Sequence, residues 1–355
     1  MLHDNTTPLA AIGFEQLKPD GSPMAVIAAR GSFEIVEGVI RYTPTQELVL
    51  ADVFEGDPQR TPLVRVGDLI PFKPAADVTV LGVIQSAQAV AVLRAGLRVT
   101  GRGAVLEKHL LATGPRNWAH DGQWRLGASP MVDHVPLDWR LATGGRVIGD
   151  PDGTVDPRNP IGAGVIHPDY TSEKLTLPAA QIFSETAPFD ATPTQPPPPE
   201  GMGPIAPWAA TRSAHAGTYD QAWQDHHHPL LPLDFDYRFY QSAPEGLQVP
   251  GYLHPGDRVQ AYGLLPDGAL LDFHLPDLAP YATFSFTDGR EVQAQLHLDG
   301  LHLDLRDGIR FDLTWRAWAP ICPSFWRIDL HLGRSAEVAA MALPVSALEG
   351  LRMAG

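Results

Sequence analysis

The sequence has a single cysteine, Cys322, among its 355 residues, so an internal disulfide bond is excluded. One lone thiol is typical of a reducing compartment, because structural disulfides persist in oxidising ones. The sequence also lacks any run of about 18 apolar residues. Its start, MLHDNTTPLA, has neither the basic segment nor the apolar segment of a secretory signal. These absences predict a cytoplasmic protein with no membrane partner.

Basic residues are scarce as well. Lysine and arginine together number 26, against 41 aspartates and glutamates, which gives a formal net charge of -15. A protein of this sign repels the phosphate backbone of nucleic acids and attracts basic groups. We therefore expect no nucleic-acid partner, and the charge favours a basic segment of another protein.

Signatures of common enzyme classes are absent from the sequence. It contains no G-x-S-x-G motif, no P-loop, and no G-x-G-x-x-G that follows a strand and opens a helix. Cys322 lies in APICPSFW, a context typical of a packed thiol and not of an activated one. We therefore expect a protein that is not an enzyme and that needs no cofactor.

What the chain does contain is β-forming sequence. Hydrophobic residues make up 44% and charged residues 19%, as in ordinary globular proteins. Short segments rich in Val and Ile, separated by Gly, Asp and Pro, predict strands within 24–36, 77–84 and 88–106. Only the alanine-rich segment 335–355 is a candidate helix, interrupted by Pro344. The expected fold is all-β and sandwich-like, with antiparallel meanders and little helix.

A first turn can be placed in the C-terminal third. A two-residue turn at Asp299–Gly300 would pair Leu298 with Leu301 and bring the neighbouring leucines onto one face. The same turn would place His297 and His302 opposite each other on the other face, as a solvated pair. The pattern therefore predicts a hairpin with one apolar face.

A second turn follows it, and its length differs. A two-residue loop would bring apolar residues opposite charged ones, whereas the three-residue loop Arg306-Asp307-Gly308 pairs Leu303 with Phe311 and Leu305 with Ile309. The sequence therefore predicts a three-residue hairpin with a glycine bulge, which extends the antiparallel meander.

The pattern divides the chain into three regions. Residues 1–110 and 257–355 are the β-rich ends, the latter with the short terminal helix, and 111–256 is a long irregular segment rich in Trp and Pro. Five tryptophans in this middle segment indicate that it is ordered and packs on the β regions. Four consecutive prolines, 196–199, predict an extended rod that is either a stiff spacer or a docking strip for an aromatic groove.

The densest motif is GTYDQAWQDHHHPLLPLDFDYRFYQSAP, residues 217–244. Its LPLDFDYRFY part alternates apolar and polar residues, which predicts a strand. Its two aspartates either accept hydrogen bonds from loop amides and arginines, and so hold the middle segment in place, or contact a partner. The candidate partner-binding residues are Trp208, Arg212, Tyr219, Asp220, Trp223, Asp234, Asp236 and Arg238.

Three consecutive histidines, 226–228, raise the question of a metal. Adjacent residues of an extended chain point to opposite sides, so only His226 and His228 could reach one ion together, with Asp225, Asp234 or Asp236 as possible oxygen ligands. Solvated or hydrogen-bonded histidines are the favoured interpretation, and we expect no metal.

The motifs, taken in order, carry a family resemblance. TGPRNW at 113–118, the glycine pair at 144–145, NPIGAG at 159–164, PEGMGPIAPWAATR at 199–212 and the 217–244 segment resemble a bacterial family long described as a domain of unknown function. Members of that family are encoded beside type VI secretion spike and toxin genes and are interpreted as adaptors or chaperones. The resemblance implies an effector toxin and spike (VgrG) or PAAR proteins as partners, and it implies no catalytic residues.

The resemblance therefore favours a non-enzymatic adaptor that binds a type VI effector and helps to load it onto the spike or its PAAR tip. Two other classes of function stay open at this point. One is a metal-dependent hydrolase that uses His226, His228 and the nearby aspartates. The other is a carbohydrate-binding module that uses exposed tryptophans.

Overall fold

The computed structural model describes residues 1–101, 105–170, 176–186, 192–321 and 325–333. Within these ranges the fold is all-β, as predicted, with mostly antiparallel sheets and little helix. Cys322 and the helix predicted within 335–355 lie outside the described residues. In the part of the chain described, no helix is long and apolar enough to cross a membrane.

The strands follow each other closely along the chain. The first third contains β1 Leu2–Asn5, β2 Ala10–Leu17, β3 Pro23–Val36, β4 Val39–Tyr42, β5 Val53–Phe54, β6 Leu63–Arg65, β7 Ala75–Leu81, β8 Val83–Val90, β9 Leu93–Thr100 and β10 Val105–Ala112. The middle contains β11 Asn117–His120, β12 Trp124–Leu126, β13 Val132–Pro136, β14 Thr143–Ile148, β15 Ala163–Ile166, β16 Thr176–Pro178, β17 Ile182–Ser184 and β18 Gln248–Pro250. The last part contains β19 Arg258–Tyr262, β20 Leu271–His274, β21 Ala279–Phe286, β22 Glu291–Gln295, β23 His297–Asp304, β24 Arg310–Pro320 and β25 Phe325–Gly333.

The helices are short. The α-helices are α1 Ala210–Ser213 and α2 Gln221–His226, and 3₁₀ helices occupy Trp139–Leu141, Tyr237–Tyr240 and Pro266–Gly268. The sequence did not predict α1 and α2, because a helix of four or six residues shows no measurable apolar period. Helix α2 has a side-chain cap, Asp220, whereas α1 has none and is held by neighbouring segments, as in the hydrogen bond from the Ala210 backbone N–H to the Pro157 carbonyl.

A seven-stranded sheet joins the two ends of the chain. Its order is β18-β7-β23-β24-β3-β2, and β4 pairs with the C-terminal end of β3. The pairs are antiparallel except β7 with β23, which is parallel. Because β23 and β24 lie between β7 and β3, the N-terminal strands are completed by C-terminal ones.

One face of this sheet is apolar and packs on the other large sheets. A five-stranded sheet, β17-β10-β9-β19-β20, and a four-stranded sheet, β1-β25-β21-β22, share one hydrophobic core with it. Phe311 of β24 contacts Phe33 of β3 and Phe273 of β20, with ring centroids 5.0 Å apart in both pairs. The alternating Val, Ile and Leu residues of these strands therefore form a layered core, as a sandwich requires.

The turn expected at Asp299–Gly300 is wrong. Strand β23 runs through both residues, Asp299 is buried, and the ladder with β24 has a bulge between Leu298 and Gly300. A two-residue Asp-Gly pair marks a hairpin only if the flanking strands pair with each other, and here β23 pairs with β7 and β24 instead. His297 and His302 consequently do not face each other.

The second turn is confirmed. Leu303 pairs with Phe311 and Asp304 with Arg310, which leaves the predicted loop at 306–308 in place. Gly308 has φ +95°, the left-handed conformation that a glycine bulge needs. The length of this turn was predictable from the sequence, because only a three-residue loop keeps the apolar residues of both strands on the same face of the hairpin.

The strand expected over LPLDFDYRFY is also wrong. Residues 231–236 have no ladder partner, and Tyr237–Tyr240 form a 3₁₀ helix. The side chain of Asp236 caps this helix by accepting from the Arg238 backbone N–H at 2.8 Å. Apolar alternation predicts a strand only when another strand is available to pair with it, and residues 231–240 form no ladder with a described strand.

Candidate partner-binding site

The exposed part of the densest motif is residues 217–234, which we call the 217–234 loop. Its two ends are tied together, because Asp234 accepts hydrogen bonds from the Thr218 backbone N–H at 2.9 Å and from its hydroxyl at 2.7 Å. These bonds lower the pKa of Asp234. Gly217, the first residue of the loop, has φ +80°, and a Cβ atom at this position would overlap the Pro232 side chain. The loop is therefore closed at its base by its own side chains.

Helix α2 forms the body of this loop. Asp220 caps it by accepting from the Trp223 backbone N–H at 2.8 Å. The Trp223 indole donates to the Leu230 carbonyl at 2.9 Å, which ties the helix to the returning chain. The Trp223 ring lies between Tyr219 and His228, at centroid distances of 4.7 and 5.3 Å.

Large apolar side chains of the 217–234 loop remain open to solvent. Tyr219 is 53% exposed and Leu233 is 72% exposed. Tyr219 directly follows Thr218, and Leu233 directly precedes Asp234. The hydrogen bonds between Thr218 and Asp234 therefore hold these two exposed residues at the closed base of the loop. Because exposed apolar groups gathered at one place mark interaction surfaces, this loop is the best candidate for contact with a partner.

Arg212, by contrast, is buried and lies inside the scaffold. It donates to the carbonyls of Phe239 at 2.9 Å and of Ile205 at 2.8 Å, and its guanidinium lies 5.4 Å from the Phe239 ring centroid. Burial lowers the pKa of this arginine. Its contacts fix the two motif segments 199–212 and 217–244 against each other, and leave it no surface for a partner.

Asp236 and Arg238 lie at the border of the loop and the scaffold. The Arg238 side chain donates to Asp236 at 2.7 Å. Burial acts to raise the pKa of Asp236, but the hydrogen bonds and charge of Arg238 outweigh it, so that the pKa is lowered. Both aspartates of LDFD therefore bind loop amides or arginine, in agreement with the structural interpretation of the motif.

The other family-like motifs interlock through close backbone approaches. Asn159 donates to the carbonyls of Trp139 at 2.8 Å and Thr143 at 2.9 Å. Gly145 has φ +79°, and a Cβ on it would overlap the Gly162 carbonyl. These glycines and the asparagine are present because two chain segments pass too near each other for side chains.

Trp208 borders a small crevice on the scaffold. Its indole donates to the Pro58 carbonyl at 3.0 Å, and its ring is half-buried. The crevice is also lined by Ile161 of the 159–164 motif, by Pro204 of the 199–212 motif, and by Trp139. Trp208 and the buried Arg212 thus pack within the scaffold, whereas Tyr219 is exposed on the 217–234 loop, so the predicted partner-binding residues differ in accessibility.

The three histidines do not converge. His226 ends α2, the His227 ring bonds the Leu231 carbonyl at 2.8 Å, and His228 lies against Trp223. Among the residues that the structure describes, no three His, Cys, Asp or Glu side chains are grouped to hold a metal ion. The expected extended chain is replaced by a helix at this point.

A buried charged network is the main feature that the sequence did not reveal. It lies on the polar face of the seven-stranded sheet and includes Asp68 and Lys73, which precede β7. Arg30 donates to Asp68 at 2.8 and 2.9 Å and to Asp312 at 2.8 Å. Burial acts to raise the pKa of Asp68, but the charge and hydrogen bonds of Arg30 outweigh it and lower the pKa.

A second pair extends this network. Arg316 donates to Asp299 at 2.5 Å, and both side chains are almost fully buried. Burial raises the pKa of Asp299 although Arg316 acts in the opposite direction, and one carboxylate oxygen of Asp299 has no hydrogen-bond partner. Period-two polar residues in 30–34, 300–304 and 310–316 were the available signal for this polar face.

A third group anchors the end of the 217–244 motif to the sheet. Asp77 of β7 accepts from Lys73 at 2.7 Å, from the Gln241 amide at 2.7 Å, and from the Ser242 backbone N–H at 2.7 Å. The cavity bordered by Asp77 and its neighbours has a volume of about 40 Å³, which suits a water molecule. The network thus fixes the end of the 217–244 motif on the sheet.

The fold and these contacts define an all-β scaffold that holds an exposed aromatic loop. Residues 20–316 match a family model described as "Uncharacterized protein conserved in bacteria (DUF2169)", and the chain belongs to this family. Neither a curated protein nor a solved structure shows a significant match.

Proposed function

We propose that this protein is a non-enzymatic adaptor that binds a type VI secretion effector and helps to load it onto the spike (VgrG) or its PAAR tip. The observation that carries the proposal is the 217–234 loop, which exposes Tyr219 and Leu233 on a base closed by hydrogen bonds. The ordered series of motifs that resembles spike-associated adaptors supports the assignment to this secretion system.

The loop has the properties of a protein-binding element. Tyrosine and tryptophan contribute large contact areas at low entropic cost and are enriched at binding hot spots. Trp223 is held by its bond to the Leu230 carbonyl and by Tyr219 and His228, so the loop loses little freedom on binding. Exposed charges such as Asp220 and Asp225 surround it as a polar rim.

Charge supports a basic cargo. The formal net charge of -15 draws a positively charged effector segment toward the protein and speeds encounter. Because exposed charges are screened by salt, the rate of complex formation is expected to fall as ionic strength rises, while contacts of Tyr219 and Leu233 persist.

The test is co-purification of this chain with the product of the adjacent toxin gene, at low and high salt. Replacing Tyr219 by Ala together with Leu233 by Ser is expected to weaken the complex by roughly tenfold or more, since both are central apolar contacts. The matched control is Tyr42→Ala with Leu50→Ser, which removes the same two residue types outside the loop, where Tyr42 is 38% and Leu50 61% exposed.

Two results would contradict the proposal. One is that neither the toxin nor a spike component co-purifies with the wild-type chain. The other is that the chain is found stably built into secreted spikes, since it would then be a structural part of the tip. Equal loss of binding in both double variants would remove the 217–234 loop as the contact surface.

A further inference from the structure

The outer face of the five-stranded sheet carries a groove that crosses the strands. Along β9, the buried residues Ala95, Leu97 and Val99 alternate with the outward positions Gly96 and Arg98. The groove has a volume of about 210 Å³. This is below the range of drug-sized pockets, so it suits a ligand of about one ring.

One wall of the groove is aromatic and aliphatic. Gly96 pairs with His109 of β10 and with Tyr262 of β19, so these residues form one row across the sheet. The Tyr262 ring lies directly over Gly96, so close that a Cβ atom on this glycine would overlap the ring. Leu270, which precedes β20 and is 73% exposed, continues the wall.

The aromatic wall is held in place before any ligand arrives. The His109 ring and the Tyr262 hydroxyl are hydrogen-bonded at 2.9 Å, and Glu107 lies 3.0 Å from the other ring nitrogen of His109. The Tyr262 ring packs over Gly96 on one side, and the residue remains 37% exposed. A fixed, solvent-exposed ring of this kind can be covered by a ligand at little cost in side-chain entropy.

The other wall is polar and is built from side chains with several hydrogen-bonding groups. Arg98 pairs in register with Glu107 and with Gln260, and Gln260 pairs with Asp272. Asp272 is already bound by Arg258 at 2.5 Å. The charges of this wall therefore nearly cancel, which favours a neutral ligand over a strongly charged one.

We propose that this groove binds a neutral sugar ring. A pyranose has an apolar C–H face that can cover the Tyr262 ring and hydroxyl groups that can exchange hydrogen bonds with Arg98, Gln260 and Asp272. A purely apolar peptide side chain would leave the polar wall without partners, which is costly. A peptide strand would need an open sheet edge, whereas the groove lies on a sheet face.

The experiment is ligand-detected NMR of the full chain with a panel of neutral hexoses and N-acetylhexosamines. The wild-type protein is expected to bind at least one of them, and Tyr262→Ala to weaken binding by roughly tenfold. Tyr262→Phe keeps the ring and is expected to retain binding. Tyr42→Ala is the matched control, since Tyr42 is 38% exposed on a different sheet.

A second variant covers the case in which Tyr262→Ala disturbs folding. Gln260→Leu leaves the aromatic wall intact and removes polar contacts, so it is also expected to weaken sugar binding. Absence of binding by the wild-type chain to every neutral sugar would overturn the proposal. So would equal weakening by Tyr42→Ala, or binding of an apolar peptide at the groove in place of sugar. None of these results bears on effector binding by the 217–234 loop.

Discussion

At the scale of single residues, we expect substitutions of the buried charged side chains on the polar face of the seven-stranded sheet to lower the free energy of unfolding strongly. Arg316 and Asp299 are each almost fully buried, and Arg316 donates to one carboxylate oxygen of Asp299 at 2.5 Å while the other oxygen has no hydrogen-bond partner among the described residues. A buried ion pair gains little over a well-packed apolar pair, but removal of one partner leaves an unpaired charge in the interior. Such residues are therefore sensitive to substitution.

Arg316→Met is expected to lower the free energy of unfolding by about 3 to 5 kcal/mol, because it leaves Asp299 without its partner. Chemical denaturation measures this change. The control is Arg310→Met on the same strand, where the side chain is exposed and a change within about 0.5 kcal/mol is expected. Addition of Asp299→Asn to Arg316→Met should recover part of the loss, and no recovery would contradict the explanation.

His302 should make stability depend on pH. Burial lowers the pKa of His302 from the ordinary 6.5 to about 4, so the native ring stays neutral where the unfolded one gains a proton. The contribution of the neutral His302 ring to the free energy of unfolding is thus complete above pH 6.5 and is lost as the pH falls toward about 4. The loss is at most roughly 3 kcal/mol.

The measurement for His302 is the free energy of unfolding between these pH values for the wild type and for His302→Gln. The glutamine can keep a hydrogen bond to Thr79, whose hydroxyl lies 2.8 Å from the histidine ring. Because the carboxylates titrate in both proteins, the difference isolates the histidine. Equal pH slopes would show that His302 is not the group responsible.

At the scale of elements, close backbone contacts between motif loops decide which glycines are required. Gly145→Ala combines a left-handed φ of +79° with overlap of the Gly162 carbonyl, and should cost about 3 kcal/mol or more. Gly122 has φ +92° but open space around it, so Gly122→Ala should cost only about 1 kcal/mol. Thermal unfolding of both variants checks this, and equal losses would show that overlap plays no part.

The elements also show how far the sequence could be interpreted. The strands within 24–36 and 88–106 and the loop at 306–308 were predictable, because apolar alternation and turn chemistry agree there. The turn at Asp299–Gly300 was not, since the partner of a strand depends on residues far away in the sequence. β7 and β24 take the place of the expected hairpin partner.

The candidate site was predictable in part for a related reason. The density of aromatic residues and aspartates pointed to the 217–234 loop, and its hydrogen bonds confirm an ordered structure. Which motif residues are exposed could not be predicted, because the exposure of Arg212 and Tyr219 depends on which distant segments cover them: the charged Arg212 is buried and the aromatic Tyr219 is exposed. The groove beside Tyr262 depends on the register of four strands, which local sequence does not encode.

At the scale of the whole molecule, folding depends on both ends of the chain. A fragment of residues 1–296 lacks β23 and β24, so β7 and β3 lose the neighbours that join them in one sheet. We expect this fragment to give no cooperative unfolding transition by circular dichroism. Co-expression with residues 297–355 should restore a soluble complex, whereas a cooperatively folded 1–296 alone would contradict the dependence.

The parallel pairing of β7 with β23 also determines how late in translation the seven-stranded sheet can be completed. About 200 residues separate these strands along the chain, and at a rate of ~5 to 20 residues per second the ribosome needs on the order of 10 to 40 s to make them. During this interval β3 and β7 have emerged with unpaired edges that can join those of other nascent chains. We therefore expect expression yield to respond to translation speed and to molecular chaperones more than to the stability of the finished protein.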